Sequence, residues 1–114
     1  MEGLVKGDVV VIPFPFSDLS ASKKRPAVVV ADLTGDDHII AQITSVARTD
    51  NYAILLETKD FKNGKLPHNS MIRPNKLFTA DKSLVSYKAG SINDKKIKEI
   101  EKTLVNIFTN KKEK

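Results

Sequence analysis

The side chains whose types and spacing could do chemistry in this sequence are cations and hydroxyls. Lys23-Lys24-Arg25 closes a polar stretch, Ser17 to Arg25, that also carries Ser17, Ser20 and Ser22. Three consecutive cations at the base of a loop form a ready anion site, with the serines as adaptable hydrogen-bonding groups. Thr44 and Ser45 stand near the end of a later apolar segment, and Arg73 in another. The planar fork of arginine suits a phosphate, and its charge can stabilise a phosphorane-like transition state. Other chemistries lack their residues. With His38 and His68 the only histidines, a three-histidine metal site cannot be built within one chain. There is no phosphate-cradling glycine loop, no nucleophile elbow and no carboxylate pair that stands out. Tryptophan is absent and aromatics are few, so stacking of bases on an aromatic platform has little support. No cofactor and no metal is expected.

The elements that must position these groups are mostly strands. Val9 to Phe16 and Pro26 to Ala31 are rich in β-branched residues and too short for typical helices. Pro13 and Pro15 predict an edge or exit position, because proline cannot donate to a ladder. Asp32 to Asp37 has turn chemistry, with Gly35 free to take positive φ. His38 to Val46 reads as a third strand, Arg48 to Asn51 as a polar turn, and Tyr52 to Leu56 as a fourth strand. Lys59 to Pro67, containing Asn63-Gly64, reads as an exposed loop with a turn. His68 to Arg73 is a strand checked by Pro74, Lys76 to Ala80 a short one, Asp81 to Leu84 a helical turn, and Val85 to Ile92 a last extended segment.

The C-terminus changes period. Ile97, Ile100, Leu104, Ile107 and Phe108 recur at helical spacing and predict an amphipathic helix over 94–109 with a core-facing stripe. Asn93 is its expected N-cap, and Ile92 and Ile97 occupy hydrophobic-staple positions. Several short strands followed by one helix imply a mainly β, α+β domain spanning 1–114: a small barrel closed or capped by that helix.

A chain of 114 residues can bury roughly two-thirds of its unfolded surface, enough for a core without staples. Cysteine is absent, which rules out disulfides and thiolate metal sites and is compatible with a reducing cytoplasm. The N-terminus has no apolar h-region, so no signal peptide is expected. No apolar run approaches the ~20 residues that span a bilayer. The net charge of +5 favours a polyanionic partner, nucleic acid or an acidic protein, over an acidic small molecule. Ordinary solubility charge is the competing explanation, since much of the excess lies in the C-terminal segment.

In this setting the residues resemble a known family. Gly7-Asp8-Val9-Val10, the polar stretch, and Lys24-Arg25-Pro26-Ala27-Val28-Val29-Val30 look like the N-terminal signature of the MazF/PemK toxins. The similarity continues through Ile43-Thr44-Ser45, Asn69-Ser70-Met71-Ile72-Arg73, Lys76 to Lys82, and Gly90-Ser91-Ile92 leading into the helix. It covers nearly the whole chain in order. These toxins are metal-independent endoribonucleases of type II toxin–antitoxin systems. The resemblance implies an SH3-like barrel of the MazF/PemK (CcdB-like) type, a homodimer with RNA sites across its interface, a cognate acidic antitoxin, no membrane and a cytoplasmic location. It implies cleavage of single-stranded RNA by attack of the ribose 2′-hydroxyl on the adjacent phosphate, giving a 2′,3′-cyclic phosphate and a 5′-hydroxyl.

Carried over residue by residue, the resemblance makes Arg25 the catalytic arginine, Thr44 the catalytic hydroxyl and Arg73 an arginine used catalytically in the PemK branch. Ser17, Ser20, Ser22, Lys23, Lys24, Ser45 and Asn75 become expected RNA contacts. Ser45 adjoins Thr44, but alternation along a strand points it to the other face. Each assignment has a structural competitor: Arg25 as a surface arginine before a proline turn, Thr44 as strand packing, Arg73 as a cross-strand ion pair, Lys23 and Lys24 as solvated loop charge. Two departures stand out. The PemK branch carries an acid, proposed as general base, where this chain has Asn75, and a histidine in the first loop, where this chain has none. A neutral amide cannot accept the proton, so either another group does or activity is low. The alternative to an enzyme is a catalytically weak or inactive RNA-binding or protein-interaction module of the same fold.

Overall fold

The computed structural model describes residues 3–15, 22–47 and 50–109. Among these residues seven strands form one curled antiparallel sheet: β1 (Asp8–Pro15), β2 (Ser22–Asp32), β3 (Asp37–Ser45), β4 (Ile54–Leu56), β5 (Phe61–Gly64), β6 (Ser70–Asp81) and β7 (Tyr87–Ile92). The spatial order is β4-β6-β3-β2-β1-β7-β5, so β4 and β5 are the edges of a half-barrel. The helix α1 (Asp94–Phe108) follows and packs against β2 and β6. The mainly β fold with a C-terminal helix is as expected from the sequence.

Both faces of the sheet are covered. Val9, Val28, Ala41, Ile43, Ile72 and Ile92 form the core under α1, which contributes Ile100. Burying Ile100 contributes roughly 1.5–3 kcal/mol. On the other face Val10, Ile12, Ala27, Val29, Ile40 and Ala80 cluster with Leu4, Phe78 and Val85. The alternation is strict: Val9 pairs with Val28 in the first cluster, and Val10 with Ala27 in the second. Asp8 is buried at the start of β1. Its Oδ2 accepts from the Val5 amide (2.9 Å) and its Oδ1 from the Ser91 hydroxyl (2.8 Å), with Lys88 Nζ at 3.2 Å.

Four expectations change. Lys23, Lys24 and Arg25 belong to β2, paired with Phe14, Pro13 and Ile12, and not to the loop. The prolines permit this. Val11 O accepts from Ser86 N on the β7 side, so Pro13 and Pro15 also turn their ladder groups that way, beyond the end of β7 pairing. Ile12 and Phe14 keep theirs for β2. Lys59 to Pro67 is not a simple loop: a 3-10 turn at Thr58–Asp60 leads into β5, which pairs with β7. Gly64 (φ +71) is a close-approach residue there, since a Cβ would lie 2.2 Å from Ala89 O. The two segments at 68–73 and 76–80 are one strand, β6, with an irregularity at Pro74 to Lys76. Finally, the helix stripe is not wholly core: Phe108 is 70% exposed.

The helix itself starts as its sequence predicts. Asn93 Oδ1 accepts from the Lys96 amide (2.9 Å), and Ile92 and Ile97 both join the core. Among the described residues no helix is long and apolar enough to cross a membrane.

Candidate active site

Strand register brings the three expected catalytic residues to one face. Ala27 lies opposite Gln42, and Gln42 lies opposite Arg73. Arg25 and Thr44 are each two residues further along their strands, so side-chain alternation puts Arg25, Gln42, Thr44 and Arg73 on the same side. That side carries the Val10, Ile12, Ala27 cluster as its floor. Thr44 is buried, Arg25 and Arg73 are half-buried. Thr44 Oγ1 donates to Ser45 O at 3.4 Å.

The expected RNA contacts divide. Lys23 and Lys24 are exposed on successive positions of β2, so they face opposite sides. Ser45 is exposed and opposite Ser70, on the side away from Thr44. Ser22 opens β2 opposite Pro15. Ser17 and Ser20 lie outside the described residues. Asn75 is exposed within the irregularity of β6, where Leu77 faces Ala41 and Arg73 faces the next residue, Gln42. Such bulges re-aim side chains. Here the bulge lets Arg73 and Asn75 reach the same oxygen.

That oxygen belongs to Asp50, in the polar turn expected at Arg48 to Asn51. Arg73 Nη2 donates to Asp50 Oδ2 at 2.7 Å and Asn75 Nδ2 donates to the same atom at 3.2 Å. Asp50 Oδ1 accepts from the Tyr52 amide at 2.9 Å, closing an Asx turn that fixes the carboxylate. The Arg73 hydrogen bond is the main reason the Asp50 carboxyl is held below the ordinary aspartate range; desolvation opposes it, and Tyr52 and Asn75 add to it. Arg73 Nε is buried without a hydrogen-bond partner among the described residues. The ion pair anticipated as the structural competitor for Arg73 therefore exists, but between a strand and a turn.

Two residues beside Arg73 are not among those the sequence singles out, Gln42 and Asp50. Gln42 was legible as the residue two before Thr44 on the same strand face. Asp50 was not, because its partner is 23 residues away and meets it only through folding. Chemically, the face offers two guanidinium groups, one hydroxyl, two amides and one ionised carboxylate, a set suited to holding a phosphodiester and moving a proton. Among the described residues no group of three or more histidine, aspartate or glutamate side chains could hold a metal ion.

Solved structures with this fold include an endoribonuclease in complex with its cognate antitoxin from a mycobacterial species. It is 14% identical, with a TM-score of 0.74 over 94% of this chain and 96% of that one. A MazE–MazF structure from Deinococcus radiodurans is 14% identical, with a TM-score of 0.75 over 95% and 98%. The Mycobacterium tuberculosis toxin MazF-mt6 is 12% identical, with a TM-score of 0.69 over 90% and 96%. At these identities the likeness is one of fold. No curated protein sequence matches. The model of the PemK-like, MazF-like toxins matches residues 5–108, and the chain therefore belongs to the PemK-like, MazF-like toxin family of type II toxin–antitoxin systems.

Proposed function

We propose that the chain is a cytoplasmic, sequence-selective endoribonuclease that cleaves single-stranded RNA without a metal ion and is held in check by an acidic antitoxin. The observation that carries this reading is the convergence of Arg25, Thr44 and Arg73 on one face of adjacent strands in a chain of this toxin family. In the reaction the ribose 2′-oxygen attacks phosphorus and the bond to the 5′-oxygen breaks. The products are a 2′,3′-cyclic phosphate and a 5′-hydroxyl. Arg25 stabilises the charge on the pentavalent phosphorus. Thr44 orients the phosphate or the nucleophile, and Arg73 supplies a second guanidinium. Arginine stays protonated and is a poor acid, so charge stabilisation is the main role of Arg25.

Lys23, which shares the face of Arg25, holds the RNA backbone near the site together with Ser17, Ser20 and Ser22, while Lys24 adds positive charge on the other side of β2. Two copies of the chain form a homodimer whose grooves carry the RNA. The antitoxin's acidic, partly disordered segment occupies the same groove and blunts its positive field. The experiment is incubation of purified protein with long single-stranded RNA in EDTA. Cleavage leaving cyclic phosphate termini supports the enzyme reading, and binding with no cleavage at any sequence overturns it. The second reading, a module that binds RNA without cutting it, is favoured by one observation: Asn75 offers an amide where a base is needed.

A further inference from the structure

The carboxylate of Asp50 has no place in the roles assigned so far. Among the described residues, it is also the group that both Arg73 and Asn75 contact through a single oxygen. We propose that Asp50 is the positioning residue of this site: its ionised carboxylate aims the Arg73 guanidinium and the Asn75 amide at the phosphate of bound RNA. The inference rests on the ribonuclease reading and deepens it.

Three features make the contact directional. First, the acceptor is fixed on both sides. Oδ1 is tied to the Tyr52 amide at 2.9 Å, which leaves Oδ2 turned to β6. Second, the donor is anchored through only one end of its fork. Nη2 binds Asp50 at 2.7 Å while the buried Nε has no partner among the described residues. A guanidinium presents five N–H groups in one rigid plane, so holding one nitrogen narrows the directions open to the others. Third, the plane is set beside the reacting groups, because Arg73 lies opposite Gln42 and on the face of Arg25 and Thr44. Without Asp50, a long side chain with several rotatable bonds would have to be ordered by the substrate itself, and that cost would appear in turnover. The Asp50 side chain is 28% exposed and Arg73 16%, so the pair sits where a ligand can meet it.

The test is a double-mutant cycle on an RNA oligonucleotide carrying a mapped cleavage site, with kcat and KM measured separately. Asp50→Ala is expected to lower kcat about tenfold or more with KM within about threefold, the scale of coupling between residues in contact. In an Arg73→Ala background the same substitution is expected to cost less than about threefold, because only the longer 3.2 Å contact to Asn75 is left to position. Asp50→Asn keeps a carbonyl acceptor and the shape of the turn. It is expected to lose less than Asp50→Ala, and it carries the test if Asp50→Ala melts below the assay temperature. Wild-type kcat in Asp50→Ala overturns the proposal. So does an undiminished loss in the Arg73→Ala background, which would mean that Asp50 acts on the substrate directly. If the wild type binds long single-stranded RNA but cuts none, the ribonuclease reading fails by itself. The same cycle is then read as affinity for that RNA, where coupled losses support positioning and additive or absent losses overturn it.

Discussion

Asp8 and Asp50 are the same chemical group used in opposite ways. Asp8 is 1% exposed, and both of its oxygens are taken by the frame: the Val5 amide, the Ser91 hydroxyl and Lys88. It joins the lead-in to β1 and β7. Asp50 is partly exposed and sits on a turn outside the sheet. Its main partner, Arg73, keeps a buried nitrogen in reserve. Burial and saturation turn the first aspartate into a staple, whereas partial exposure and an incompletely used partner leave the second on a face where a ligand can reach it, the role proposed above.

Breaking the staple should have the largest effect on stability. Asp8→Ala strands a buried hydroxyl and an amide, each costing about 1–3 kcal/mol, so a loss of roughly 3 kcal/mol is expected in denaturant unfolding. Arg25→Ala should show the reverse pattern. RNA cleavage loses at least ~2.7 kcal/mol of transition-state stabilisation, by analogy with removal of an oxyanion donor, while the melting temperature stays close to wild type. Asn93→Ala, on the frame side, should cost about 1 kcal/mol through loss of the helix cap, visible as a small fall in the melting temperature with RNA cleavage unchanged.

Asp50→Ala should change stability least, by under about 1 kcal/mol, as for other solvent-screened ion pairs. Its pH dependence gives a finer test. The folded-state carboxyl is held below its unfolded value, so its contribution is fully present above the ordinary aspartate range. It is lost as pH falls through that range to the depressed value. The stability gap between wild type and Asp50→Asn should therefore be constant near neutrality and close in acid. A gap that widens in acid would contradict the ion pair.

What could be read from the sequence follows the range of the interactions. The helix, its cap and its staple are local, and Asn93, Ile92 and Ile97 announce them. Arg25, Thr44 and Arg73 stand out through resemblance to the MazF/PemK toxins, and strand register places the three on one face. β5 was missed because Phe61–Gly64 has one large apolar residue and an Asn-Gly pair that mimics a turn; only its pairing with β7 makes it a strand. Lys23 to Arg25 looked like loop because of their charge, yet the ladder groups of Ile12 and Phe14 draw them into β2. Asp50 was hidden for the same reason: a polar turn residue becomes a site residue only when β3 and β6 pair and the Pro74 irregularity turns Arg73 and Asn75 toward it.

The most direct measurement is the cleavage of long single-stranded RNA by the purified protein in EDTA, with mapping of the new termini and Arg25→Ala run in parallel. The account predicts cuts that leave 2′,3′-cyclic phosphate and 5′-hydroxyl ends and that nearly vanish in the variant. RNA that is bound but left intact, or cleavage that survives in Arg25→Ala, would contradict it.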